Sequence, residues 1–90
     1  MGVARKLAEG ITGLGPDIMT DEVTQWTLYG LLDYMAVTLA GSDEPCTEIA
    51  AKVLGSGSVG KSLIFGKADR MNALDAALVN GTAAHAHDFD

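Results

Sequence analysis

Between Val23 and Ala40 the chain carries one long apolar run with no polar face in it. Wound at 3.6 residues per turn, Trp26, Leu28, Leu31, Leu32, Met35 and Leu39 project in every direction, which is the pattern of a helix enclosed by other structure. Thr20 stands where an N-cap is wanted, and Asp21 and Glu22 put negative charge into the first turn. Gly41-Ser42 supplies the stop. A central, buried helix over about residues 21–40 is therefore the element around which everything else must be arranged. Asp33 lies in its middle, and burial there demands a partner, because an unpaired carboxylate in apolar surroundings is costly. A structural hydrogen bond, for instance to a neighbouring helix terminus, is the plainer reading beside a catalytic one.

The run does not read as a membrane span. Asp33 interrupts it, and the acidic pairs Asp21-Glu22 and Asp43-Glu44 flank it where Lys or Arg would anchor a span. Ninety residues make one small domain, which buries only ~60–65% of the surface that its unfolded chain exposes. An apolar content of 48% against 20% charge is rich for such a chain, so some apolar faces are expected to meet a second domain or a partner subunit. The net charge of −6 and the scattered Lys and Arg exclude nucleic acid as a partner. The single cysteine, Cys46, cannot form an internal disulfide and has no basic neighbour to activate it, so it reads as a packing thiol in a cytoplasmic chain. No secretory signal opens the sequence.

Around the central helix the chain divides at its glycines and prolines. Val3, Leu7, Ile11 and Leu14 form one helical face, broken by Gly15-Pro16-Asp17. After Ser42-Asp43-Glu44-Pro45 a shorter helix covers about residues 45–54, with Ile49, Val53 and Cys46 as its inner stripe. Residues 55–60 form a glycine/serine loop, and Leu63-Ile64-Phe65 is short and extended. Asn72 then caps a last helix, with Asp75 three residues on as an acidic variant of the capping box.

Two motifs compete for chemistry. Gly55-Ser56-Gly57-Ser58-Val59-Gly60-Lys61-Ser62 fits the phosphate-binding P-loop pattern letter for letter. That loop needs a strand before it and a helix after it, so that amides and a helix N-terminus face the phosphates. Here a helix precedes and an extended run follows, and a nucleotide site is the weaker reading beside a plain connection.

The second motif is the closing cluster His85-Ala86-His87-Asp88-Phe89-Asp90. Alternating histidines can bind metal from a strand, but on a helix residues two apart lie about 200° around the axis, and two ligands make a poor site. His85 and Asp88, three apart, lie roughly 60° around the axis on one face. That pair suits acid-base or orienting work, with His87 turned away; solvated histidines remain the plain alternative. Asn80-Gly81 in mid-helix points to a close approach by another helix or a ligand.

These residues resemble a known family. Leu31-Leu32-Asp33-Tyr34-Met35-Ala36-Val37-Thr38-Leu39-Ala40-Gly41-Ser42 is similar to a buried helix of the form LLDxxGVxLAGS in the MmgE/PrpD family, which includes 2-methylcitrate dehydratases and cis-aconitate decarboxylases. Residues 60–66 are similar to its ATVxG segment. Residues 73–90 are similar to its ALxNGxxAHALDFDD signature, the most specific of the three. His87 departs from the pattern, standing where leucine is usual.

The resemblance implies an all-α fold of about four helices with one short extended segment, forming the N-terminal part of a helical domain over residues 1–90. It implies a lyase, a dehydratase or decarboxylase acting on small polycarboxylates without metal or organic cofactor, as a homo-oligomer. Asp88 matches the aspartate that opens the family's DFDD run at the active site, and His85 matches the signature histidine. The signature is cut at Asp90, so the downstream catalytic His, Lys and Tyr and a smaller α+β lid domain are expected to be missing, leaving the chain inactive alone. The rival expectation is a non-catalytic helical module that self-associates through its apolar faces.

Overall fold

The structure, a computed structural model, describes residues 2–89, which fall into two compact units that meet in sequence between Gly30 and Leu31. In the first unit, α1 (Val3–Thr12) stops two residues short of the expected end. The Thr12 hydroxyl and the Gly13 amide both donate to the Glu9 carbonyl, at 3.1 Å each, and close its last turn. Arg5 and Glu9 pair across one turn at 3.2 Å. A 3-10 turn (Pro16–Ile18) leads into α2 (Asp21–Gly41), whose start is fixed by the expected cap: the Val23 amide donates to Thr20 Oγ1 at 3.2 Å.

The second unit holds the C-terminal half of α2, α3 (Pro45–Gly55), β1 (Ser62–Leu63), β2 (Arg70–Met71) and α4 (Ala73–His85). The two strands pair antiparallel, Ser62 with Met71 and Leu63 with Arg70. The extended segment expected at residues 63–65 is thus one arm of a minimal hairpin whose other arm no sequence pattern announced. The fold is predominantly α, as expected, with four α-helices among the described residues.

The core gathers Ile64 and Met71 from the hairpin with Ala76 and Val79 from α4, and Ala50, Ala51 and Leu54 of α3 pack against it. On α3 the inward stripe is Thr47, Ala50, Ala51 and Leu54, spaced three, four and seven residues from the first, the period of one helical face. The stripe expected to face inward lies outside instead: Ile49 is 63% and Val53 67% exposed, and Cys46 is exposed as well. The helix is apolar on two sides, and the side with small residues packs inward because alanines let α3 and α4 approach.

The central helix is the larger correction. Only Thr38 and Gly41 of α2 are buried among the described residues, and Trp26 and Leu32 are 67% and 66% exposed. Asp33 is exposed too, so water solvates its carboxylate and no buried partner is required. The all-round apolar pattern marks the helix but not its burial, because the small hairpin core does not enclose it. Where α2 does pack, it does so by its C-terminus: a Cβ on Gly41 would overlap the Ala83 carbonyl oxygen of α4 and lie 3.0 Å from the Ala86 Cβ.

Candidate functional site

The closing cluster is carried by α4, and three local devices fix that helix. At its start Asn72 Oδ1 accepts the Asp75 amide at 2.9 Å, and the Asn72 side-chain amide donates to Asp75 Oδ2 at 2.9 Å. The Asn72 backbone amide, which a capping box would return to Asp75, donates instead to Ser58 Oγ at 2.9 Å. In mid-helix the Asn80 side chain donates to the Leu63 carbonyl at 2.9 Å and accepts the Phe65 amide at 3.0 Å. It pairs with the extended run as a neighbouring strand would, satisfying one donor and one acceptor that the two-residue hairpin leaves open. Asn80 therefore ties α4 to the hairpin. Gly81 does not mark the close approach expected of it, since a Cβ there would meet open space; that approach occurs at Gly41.

The last carbonyls of α2 form the other side of the region. A helix C-terminus leaves its final carbonyls without intrahelical donors, and here three are taken up from outside. Leu39 O accepts from Ser42, through its amide at 3.2 Å and its hydroxyl at 2.8 Å. Gly41 O accepts from Thr47 Oγ1 at 2.8 Å. Ala40 O lies 3.2 Å from His87 Nε2. The same His87 nitrogen is 3.1 Å from Glu44 Oε1, in the turn between α2 and α3, and the His87 ring lies against Phe89 with centroids 5.3 Å apart. Because Ala40 O can only accept, Nε2 carries the hydrogen in this arrangement.

His85 and Asp88 do not share a helical face, because α4 ends at His85. The Ala86 amide still returns to Ala83 O at 3.2 Å, and the Asp88 amide donates to His85 O at 3.0 Å in a closing turn. Asp88 then takes a φ of +50°, the left-handed region in which glycine or asparagine commonly ends a helix. Both side chains are exposed and no hydrogen bond joins them. The turn brings the two backbones together without pairing the imidazole with the carboxylate. Asp90 lies outside the described residues.

The position is an unfavourable one for an aspartate on two counts. A left-handed backbone on a residue other than glycine costs on the order of 1–3 kcal/mol, and aspartate tolerates it better than most. A negative charge just past a helix C-terminus also meets the negative end of the helix dipole, an effect of ~0.3–1 kcal/mol where exposed. His85, in the last turn, is placed as that dipole favours when it is protonated.

The P-loop letters serve the fold. Helix α3 precedes them and β1 follows, the reverse of what phosphate binding needs. Ser58 is bonded to Asn72, and a Cβ on Gly60 would crowd the Asn72 backbone at 2.5–2.6 Å. An open cleft of about 470 Å³ lies elsewhere, lined by Glu48, Ile49, Ala51, Lys52, Lys67 and Asp69, with Lys67 Nζ paired to Glu48 Oε1 at 2.6 Å. None of the closing-cluster residues lines it. Among the described residues no group of three or more His, Cys, Asp or Glu side chains could hold a metal ion, and no helix is long and apolar enough to cross a membrane.

Sequence reasoning set aside His87 and did not single out Glu44, the two residues with side chains engaged here. The one available signal was His87 itself, a polar ring where the resembled signature has leucine. The model of one protein family, the MmgE/PrpD N-terminal domain, matches residues 5–90 of this chain. Neither a curated protein nor a solved structure gave a match.

Proposed function

The chain belongs to the MmgE/PrpD family, matching its N-terminal domain, and from that membership we propose that it contributes Asp88 and His85 to the active site of a cofactor-independent lyase acting on small polycarboxylates, in the manner of a 2-methylcitrate dehydratase. Asp88 moves a proton beside a substrate carboxylate or orients the group that does, and His85 supports it. A positioned acid-base group contributes ~10²–10⁴-fold to such an elimination. The observation that carries this reading is the placement of Asp88. Its left-handed backbone favours glycine over any side chain and the α4 dipole disfavours a carboxylate there, and residues that work against stability cluster at functional sites. Cationic groups for the substrate come from outside this acidic domain, which is inactive alone and works within a homo-oligomer.

The test is a chimera in which this chain replaces the N-terminal domain of a family dehydratase. Turnover is retained by the chimera and falls at least ~10²-fold on Asp88→Asn. An Asp88→Asn chimera as active as its parent sinks the proposal, and turnover of 2-methylcitrate by the 90-residue chain alone sinks the prediction that it is inactive by itself.

One observation favours a second reading, a non-catalytic module that self-associates: Ile49 and Val53 form an exposed apolar stripe on α3, and α2 exposes Leu32 as well. An assembled chain whose chimera has no activity, with or without Asp88, would support the module over the enzyme.

A further inference from the structure

The geometry points to His87 as a positioning residue: its imidazole fastens the segment after α4 to the end of α2 and so fixes the backbone of Asp88. Three observations converge on it. His87 Nε2 reaches two acceptors at once, Ala40 O at 3.2 Å and Glu44 Oε1 at 3.1 Å. These belong to the end of α2 and to the turn after it, while His87 itself is two residues beyond the end of α4, so the contact closes a long-range loop. The residue that follows is Asp88, the one non-glycine residue with positive φ among the described residues.

A left-handed aspartate beyond the end of a helix relaxes to a commoner conformation unless its neighbours hold it. On one side the Asp88 amide is held by His85 O at 3.0 Å. That bond alone ties Asp88 only to the helix from which it departs. His87 supplies the tie to a different element, and the Phe89 ring against the imidazole continues the packing on the other side of Asp88. The hydrogen bond to Ala40 needs only Nε2–H, which the neutral ring in the right tautomer and the charged ring both provide. Glutamine can supply an equivalent N–H, whereas leucine cannot.

The conformational claim stands by itself, and its bearing on chemistry rests on the acid-base reading of Asp88. Both are read on the same variants. In the 90-residue chain, NMR of the Asp88 amide gives a strong intraresidue amide–Hα cross-relaxation, as positive φ brings those hydrogens together, with an order parameter near that of rigid backbone, roughly 0.85. His87→Leu abolishes the strong cross-relaxation and drops the order parameter below about 0.6, with amide-exchange protection at Val79 unchanged. His87→Gln restores both. Glu44→Ala, at a half-buried position in the turn, weakens them in part and serves where His87→Leu fails to fold.

A wild-type chain without the positive-φ signature overturns the assignment, as does a His87→Leu chain that keeps it. In the chimera, His87→Leu lowers turnover and His87→Gln restores it. If the leucine variant loosens Asp88 and turnover is unchanged, the positioning role of His87 holds and the acid-base reading of Asp88 fails.

Discussion

A Cβ on Gly66 would lie 2.7 Å from the Ser42 hydroxyl oxygen and 2.9 Å from the Ser42 Cβ. Ser42 closes the end of α2 and Gly66 follows the extended run after β1, so this contact joins two stretches that resemble separate family motifs. Gly66 has a φ of +78°, so a side chain there meets both an unfavourable backbone and an occupied space. Gly66→Ala is expected to destabilise the chain by about 2 kcal/mol or more, read as a lower midpoint in urea with an unchanged slope.

Gly41 and Gly81 make an opposed pair. Gly41→Ala drives a methyl group into the Ala83 backbone, which cannot rotate away as a side chain would, and a loss of ~1–3 kcal/mol or more follows. Gly81→Ala meets open space inside a helix, so the better helix former gains ~0.5–1 kcal/mol. Thermal melts of the two variants should move in opposite directions.

Asn80→Ala removes both bonds to the extended run and leaves Phe65 N–H and Leu63 O without that partner. The expected loss is ~1–3 kcal/mol. Hydrogen exchange locates it: the Phe65 amide loses protection by more than amides in the middle of α3 do.

At Asp88 stability and activity should diverge. Asp88→Gly suits the left-handed backbone and removes the charge from the negative end of α4, gaining ~0.5–1 kcal/mol. Asp88→Asn keeps a residue that tolerates this conformation and gains a few tenths, on the order of 0.3 kcal/mol. Denaturation of the chain and turnover of the chimera measure the two quantities, and both variants should be more stable and less active than the parent.

The helix boundaries were the legible part of the sequence because they are set locally. Thr20, Asn72, Pro45 and Gly41-Ser42 act on neighbours within four residues, and each lies at the end it marks. Faces were harder. Periodicity shows that a side of a helix is apolar and not what it meets, so Ile49 and Val53 outweighed Ala50 and Ala51, whose small size is what admits α4. A strand of two residues, such as Arg70-Met71, is too short to carry an alternation. The order of elements was among the grounds for setting the P-loop letters aside, and the reversed order is what the structure has.

At the candidate site the aspartate was singled out from the resembled signature, and its neighbourhood was not legible. Helical arithmetic placed His85 and Asp88 on one face, and it ceases to apply once α4 ends between them. The bonds of His87 to Ala40 and Glu44 span more than forty residues. Nothing in the sequence near His87 names either partner.

The meeting of Gly41 with Ala83 and that of Ala40 with His87 involve consecutive residues on α2 and residues four apart on the other chain segment. A body pinned at one point can still swivel, and pinned at two it can turn only about the line between them. Inserting or deleting one residue in the helical part of the interval from Ala83 to His87, at Ala84 or His85, would swing the second pin by about 100° and unseat it. That interval is therefore a fixed gauge length, and variation in this stretch should leave the number of its residues alone.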